Sequence, residues 1–89
     1  MLDNYVLYSN IKEIDLHGMD RYSASLAINE FINDSYILKV KYLKIVHGKG
    51  TGVLRKTTLD TLKHNKNVLD YKLDIFNDGC TVVLLKDKK

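Results

Sequence analysis

The sequence predicts an α/β two-layer sandwich with a β-α-β-α-β-β order, a mixed four-stranded sheet and two helices. Three observations carry that reading. Two short runs rich in β-branched residues each stop at a His-Gly dipeptide and are each followed by apolar residues at helical spacing. Two further apolar runs flank Asn77-Asp78-Gly79, which reads as a β-hairpin. The 89 residues are 45% hydrophobic and 28% charged, ordinary values for one globular domain. A chain of this size buries about 64% of its unfolded surface, enough for one modest core.

Ile11–Leu16 (IKEIDL) reads as the first core strand, running into a turn at His17-Gly18. Asp20 or Ser23 can cap a first helix, in which Ala24, Ala27, Ile28, Phe31 and Ile32 recur on one face through about Ile37. Tyr42–Val46 (YLKIV) is the second strand, and it stops at the glycine cluster His47-Gly48-Lys49-Gly50-Thr51-Gly52. A second helix starts near Val53, with Val53, Leu54, Leu59 and Leu62 as its apolar stripe and Arg55, Lys56 and Lys63 for the wet side; Asn65 or Asn67 ends it. Val68–Ile75 (VLDYKLDI) and Cys80–Leu85 (CTVVLL) form the hairpin. The right-handed crossover rule makes the first two strands parallel neighbours or near-neighbours. Residues 1–10 (MLDNYVLYSN) stand outside the domain at 11–89, either as an arm or, through Tyr5, Val6, Leu7 and Tyr8, as an added edge strand.

No proline, linker or repeat divides the chain. A lone cysteine, Cys80, forms no internal disulfide, and with no signal peptide the expected compartment is the reducing cytoplasm. Uncharged apolar stretches fall far short of the ~18 residues that span a bilayer, so no membrane role is expected. The net charge of +3 is unevenly spread: residues 1–35 carry −4, residues 36–66 carry +7 and residues 67–89 carry 0. A basic middle favours a polyanionic partner, with a solvated lysine-rich face as the alternative.

The segment from His47 to Arg55 joins a strand to a helix, where backbone N–H groups and the helix dipole favour an anion. Gly48, Gly50 and Gly52 allow close approach of the backbone, while Lys49, Thr51 and Arg55 supply charge and donors. Neither a Walker loop nor a dinucleotide fingerprint fits: Lys49 directly follows the first glycine, and Val53 stands where the latter needs glycine. Phosphate binding is therefore expected, against a plain flexible connection. Both His17 and His47 end strands that the crossover rule makes parallel, so the two can face one crevice. Asp15 shares a sheet face with His17 if the strand persists that far. An Asp and a His beside a phosphate could cleave a phosphodiester, the imidazole moving a proton and the carboxylate orienting it or favouring its charged form. For RNA this means activating the 2′-hydroxyl; for DNA it means activating water, where a divalent metal such as Mg²⁺ is an option. The competing reading has Asp15 and His17 merely pinning the turn. His17, His47, His64 and Cys80 lack zinc-site spacing, Cys80 reads as a buried small hydrophobe, and the tyrosines read as amphipathic core-edge residues or base-stacking faces.

Ile14-Asp15-Leu16-His17-Gly18, followed by His47-Gly48-Lys49-Gly50-Thr51-Gly52 with Leu54-Arg55 and the closing Thr81-Val82-Val83-Leu84, resembles the Smr (small MutS-related) domain over about residues 11–86. The resemblance implies a fold similar to the C-terminal domain of translation initiation factor 3 and nucleic-acid binding, with several members nicking DNA or cutting RNA. It assigns Asp15 and His17 to an Asp-x-His motif associated with cleavage. It assigns His47, Gly48, Lys49 and Gly50 to a His-Gly-x-Gly loop associated with nucleic-acid contact, and Arg55 to the basic residue after it. Members occur both free-standing and at the C-terminus of MutS-like proteins; the initial methionine here favours the former. The expectation is an endonuclease of DNA or RNA, with Asp15, His17 and His47 in catalysis and Gly48, Lys49, Gly50, Thr51, Gly52 and Arg55 holding phosphate. The alternatives are a non-catalytic module recruiting DNA, RNA or a ribosome, and a protein-interaction domain using its helical face. A monomer or weak dimer is expected.

Overall fold

Among the described residues, four strands and two helices form in the expected order: β1 (Lys12–Asp15), α1 (Arg21–Ile37), β2 (Tyr42–Val46), α2 (Val53–His64), β3 (Val68–Leu73) and β4 (Cys80–Leu85). The computed structural model describes residues 11–74 and 76–88, so the arm or edge strand expected at 1–10 lies outside the described residues. The sheet order is β1-β2-β4-β3. β1 and β2 are parallel with Ile14 opposite Ile45, and β4 runs antiparallel to both β2 and β3. The hairpin therefore sets β3 at the edge and inserts β4 between β2 and β3. That position explains its unbroken apolar run, because all six residues of β4 are buried.

On the helical side of the sheet, Leu16, Leu43, Ile45, Val83 and Leu85 pack with Ala24, Ile28, Ile32 and Leu62. Val82 and Leu84 face the other way, with Ile11 and Tyr42 beside them. In α1 the buried residues Ala24, Ile28 and Ile32 recur every four positions, as the pattern required, and Ser35 extends the row. Of the two possible caps, Asp20 is the one used: its Oδ1 accepts the Ser23 N–H at 2.7 Å. The helix closes without glycine. Lys39 takes φ +62°, Lys39 N–H donates to Tyr36 O and Val40 N–H to Ser35 O, the double closure usually built on a left-handed glycine.

The Ser23 hydrogen bond holds the Asp20 carboxyl below its ordinary value of 3.8. A carboxyl depressed in the folded state stabilises above its unfolded value and loses that contribution as pH falls through the folded one. Asp20→Ala is accordingly expected to melt below wild type near neutrality, with the gap closing as thermal scans move below about pH 4.

α2 departs from its expected stripe. Leu62 is buried and Leu54 and Leu59 are half-buried, yet Val53 is exposed, and Thr58 and Thr61 take the buried places. Back-bonding makes this possible: Thr58 Oγ1 donates to Leu54 O at 2.8 Å and Thr61 Oγ1 to Thr57 O at 2.7 Å, so neither hydroxyl proton is stranded. With the Thr61 proton so used, Ser25 Oγ on α1 donates to Thr61 Oγ1 across 3.1 Å. Asn65 ends α2, and its Nδ2 donates to Asn29 Oδ1 on α1 at 2.9 Å.

Candidate functional site

Parallel pairing brings the carboxyl ends of β1 and β2 to one edge of the sheet. It continues one residue past β1, where Leu16 N–H donates to Val46 O at 2.9 Å. The chain then turns: Met19 N–H returns to Leu16 O at 3.0 Å, with Gly18 at φ +78°. Asp15 Oδ1 accepts the backbone N–H of His17 at 2.9 Å. The strand thus ends at Asp15, and the carboxylate pins the turn rather than contacting the imidazole. His17 is exposed.

His47, on the adjoining strand end, is only 6% exposed. Its Nδ1 lies 3.0 Å from Gly48 O, and since a carbonyl only accepts, Nδ1 carries the proton. In the neutral ring Nε2 is then an acceptor, and the Thr81 hydroxyl 2.8 Å away donates to it. The backbone is tied as firmly, because Gly79 O accepts both His47 N–H and Gly48 N–H at 2.9 Å. Here the β3–β4 turn presses close: a Cβ on Gly79 would lie 3.4 Å from the Gly48 backbone and 3.2 Å from Asn77 Oδ1. Glycine at 79 lets the hairpin buttress the loop. The ring of His47 is a brace between the loop and β4.

Beyond Gly48 the loop wraps a cavity of about 380 Å³. Gly52 caps α2 in the left-handed region, at φ +86°, which costs a residue with a Cβ about 1 kcal/mol or more. Gly52 has no side chain to cap this helix, so among the described residues the first-turn N–H groups of Val53, Leu54 and Arg55, which have no carbonyl behind them, are available to a ligand. Arg55 and Arg21 supply positive charge to the cavity wall. Asp20 is also in the wall, but its carboxylate is committed to Ser23.

His47, Gly48, Gly50, Thr51, Gly52 and Arg55 therefore share one cavity. Lys49 is outside its lining and pairs with Asp78 at 3.2 Å, both ends well exposed. Asp15 and His17 stand on the neighbouring strand end, also outside the lining. Arg21, Asp78, Gly79 and Thr81 join the site unforeseen. Arg21 could have been suspected as the cation next to a cap; the others sit about 30 residues along the chain from the loop they hold, and no local pattern marks them. Among the described residues no group of three or more His, Cys, Asp or Glu side chains is placed to hold a metal. Cys80 is buried, and desolvation pushes its thiol above its ordinary value, only partly offset by Lys44.

The Smr domain family model matches residues 14–86, which include Asp15, His17 and the whole glycine loop. The chain belongs to the Smr domain family. It is 38% identical over 77 residues to Endonuclease MutS2 of Clostridium tetani, covering 86% of this chain and 10% of that one. To Endonuclease MutS2 of Clostridium botulinum it is 40% identical over 76 residues, covering 85% and 10%. It thus spans about a tenth of the length of these curated relatives. The crystal structure of the Smr domain of Thermus thermophilus MutS2 superposes with a TM-score of 0.81 at 32% identity, over 84% of this chain and 98% of that one. YdaL, a stand-alone small MutS-related protein of Escherichia coli, gives 0.83 at 16% identity over 89% and 70%, a likeness of fold alone. This Smr domain has the expected α/β sandwich, with its two motifs on adjacent parallel strand ends.

Proposed function

We propose that this Smr domain binds the phosphate backbone of a nucleic acid at the carboxyl ends of β1 and β2 and cleaves it there. The observation that carries the proposal is the adjacency of an exposed imidazole, His17, to a glycine loop whose uncapped helix end and arginines suit an anion. Phosphate sits against the first-turn N–H groups of α2 and Arg55. His17 takes the proton from the attacking oxygen. With RNA that oxygen is the 2′-hydroxyl: a new O2′–P bond forms, the P–O5′ bond breaks, and the leaving 5′-oxygen takes a proton from solvent, giving a cyclic phosphate and a 5′-hydroxyl strand. With DNA the attacking group is water: its oxygen bonds to phosphorus, one P–O ester bond breaks, and the leaving oxygen is protonated from solvent, giving a phosphate monoester end and a hydroxyl end. Asp15 fixes the turn that presents His17 by accepting its backbone N–H, and His47 holds the loop.

The relatives named as endonucleases support the reaction class, and the basic middle of the chain supports the partner. The test is cleavage of end-labelled single-stranded RNA, duplex RNA and supercoiled DNA, each with Mg²⁺, Mn²⁺ and EDTA. Cutting by wild type that His17→Ala abolishes upholds the proposal. One observation favours a second reading, a recruiting module without catalysis: Asp15 is bonded to the turn rather than to the imidazole. Under that reading binding occurs, no substrate is cut, and His17→Ala changes nothing.

Lys49 offers a separate check. Its exposed pair with Asp78 is worth about 0–1 kcal/mol, so an arriving phosphate can replace the carboxylate. Lys49→Ala is expected to weaken binding and to reduce the slope of log K against log salt by about 1, while Asp78→Asn strengthens binding. An unchanged slope in titrations from low to moderate salt removes Lys49 from the interface.

A further inference from the structure

The glycine-loop cavity does not end at the loop. A furrow continues from it between α1 and α2, sharing Arg21 and Val53 with the cavity. Small residues make the furrow: Ser25 and Thr61 meet at its floor, while Tyr22 and Leu26 of α1 and Val53 and Lys56 of α2 stand along its walls. Its volume is about 600 Å³, inside the ~300–1,000 Å³ range of small-ligand sites. Seven large hydrophobic side chains are exposed among the described residues, and three of them meet here: Tyr22 at 80%, Leu26 at 66% and Val53 at 52%. Such clustering marks a contact surface, where scattered exposure would not.

The geometry points to this furrow as the seat of an unpaired base of a single-stranded nucleic acid, stacked on Tyr22, whose neighbouring phosphate occupies the glycine-loop cavity. The inference rests on the proposed phosphate site and adds to it a substrate class and a stacking residue. Charge selects the occupant: Arg21 and Lys56 flank the apolar walls, and among the described residues Asp60 is the single carboxylate in the lining. Arg21 serves both compartments, so one ligand with an anionic backbone and flat apolar appendages satisfies the two together. A base within a duplex has both faces covered by its neighbours and cannot stack on the ring. A single strand has its faces free.

The test is fluorescence anisotropy with three short labelled probes: an oligothymidine strand, a strand of the same length made of abasic sugars, and a duplex, in ribose and deoxyribose forms. Tyr22→Ala is expected to weaken the oligothymidine complex about five- to a hundredfold, a range set by one stacked base, with the salt slope unchanged. Tyr22→Phe keeps wild-type affinity, and Leu26→Asp, a carboxylate on the same wall, weakens it similarly. Wild type holds the abasic strand about as weakly as Tyr22→Ala holds oligothymidine, and duplex affinity does not depend on Tyr22. Melting temperatures stay level, since both replaced side chains are largely in solvent. Equal oligothymidine affinity for wild type and Tyr22→Ala, with a normal salt slope, overturns the base site and leaves the phosphate site standing; the furrow then suits a protein segment. No binding of any probe by wild type at low salt overturns the phosphate site and the furrow reading with it.

Discussion

His47→Ala is expected to cost about 2–4 kcal/mol and to shift the urea midpoint accordingly. Two losses add. The buried Thr81 hydroxyl is left without its acceptor, about 1–3 kcal/mol, and removing a buried ring opens a void that the β3–β4 turn can fill only in part. Thr81→Val, close in shape, removes the same bond from the other side and strands Nε2, for about 1–3 kcal/mol. Because both substitutions delete one interaction, their effects are not additive. In a double-mutant cycle Thr81→Val should cost little once His47 is alanine. The loop reports the same event, since Gly48 loses the imidazole that holds its carbonyl, and phosphate binding should fall in His47→Ala even where the protein remains folded. Additive stabilities in the cycle, or a wild-type midpoint for His47→Ala, overturn the brace.

That brace also shows where sequence reasoning reaches and where it stops. Element order was legible because each element carries its own period: Ala24, Ile28 and Ile32 repeat along α1, and β4 is apolar throughout because it is central. Hairpin, crossover hand and parallel strand ends follow from local signals and chain geometry. Contacts across the fold do not. Thr81 reads as a β-branched strand residue, and only the β2–β4 register brings its hydroxyl to a histidine 34 residues away. Thr58 and Thr61 stand outside the apolar stripe that the sequence shows, yet back-bonding lets them sit in the core. Val53 reads as stripe, yet it begins α2 at the cavity mouth, beyond the cover of the core. The site was legible as two motifs. Its division of labour was not, because the alternation that would put Asp15 and His17 on one face assumes a strand that in fact stops at Asp15, two residues short of His17.

The same turn supplies the sharpest test of catalysis. Asp15 has two possible contributions, a hydrogen bond to the His17 amide and a negative charge near the imidazole, and alanine removes both. Asp15→Asn separates them. An amide oxygen still accepts the N–H at 2.9 Å, so the turn and the melting temperature should survive, while the charge is gone. If that charge assists as His17 takes a proton, Asp15→Asn should slow cleavage at an unchanged melting temperature. Asp15→Ala should slow cleavage further and also lower stability, by about 0.5–1.5 kcal/mol for the lost turn bond. His17→Ala should be the most severe, lowering the rate by about 10²–10⁴-fold with little change in melting temperature, since the ring is exposed. Wild-type cleavage in Asp15→Asn, together with impaired folding in Asp15→Ala, makes the carboxylate purely a turn residue. Wild-type cleavage in His17→Ala removes the base itself, and the recruiting module then becomes the function of this end of the sheet.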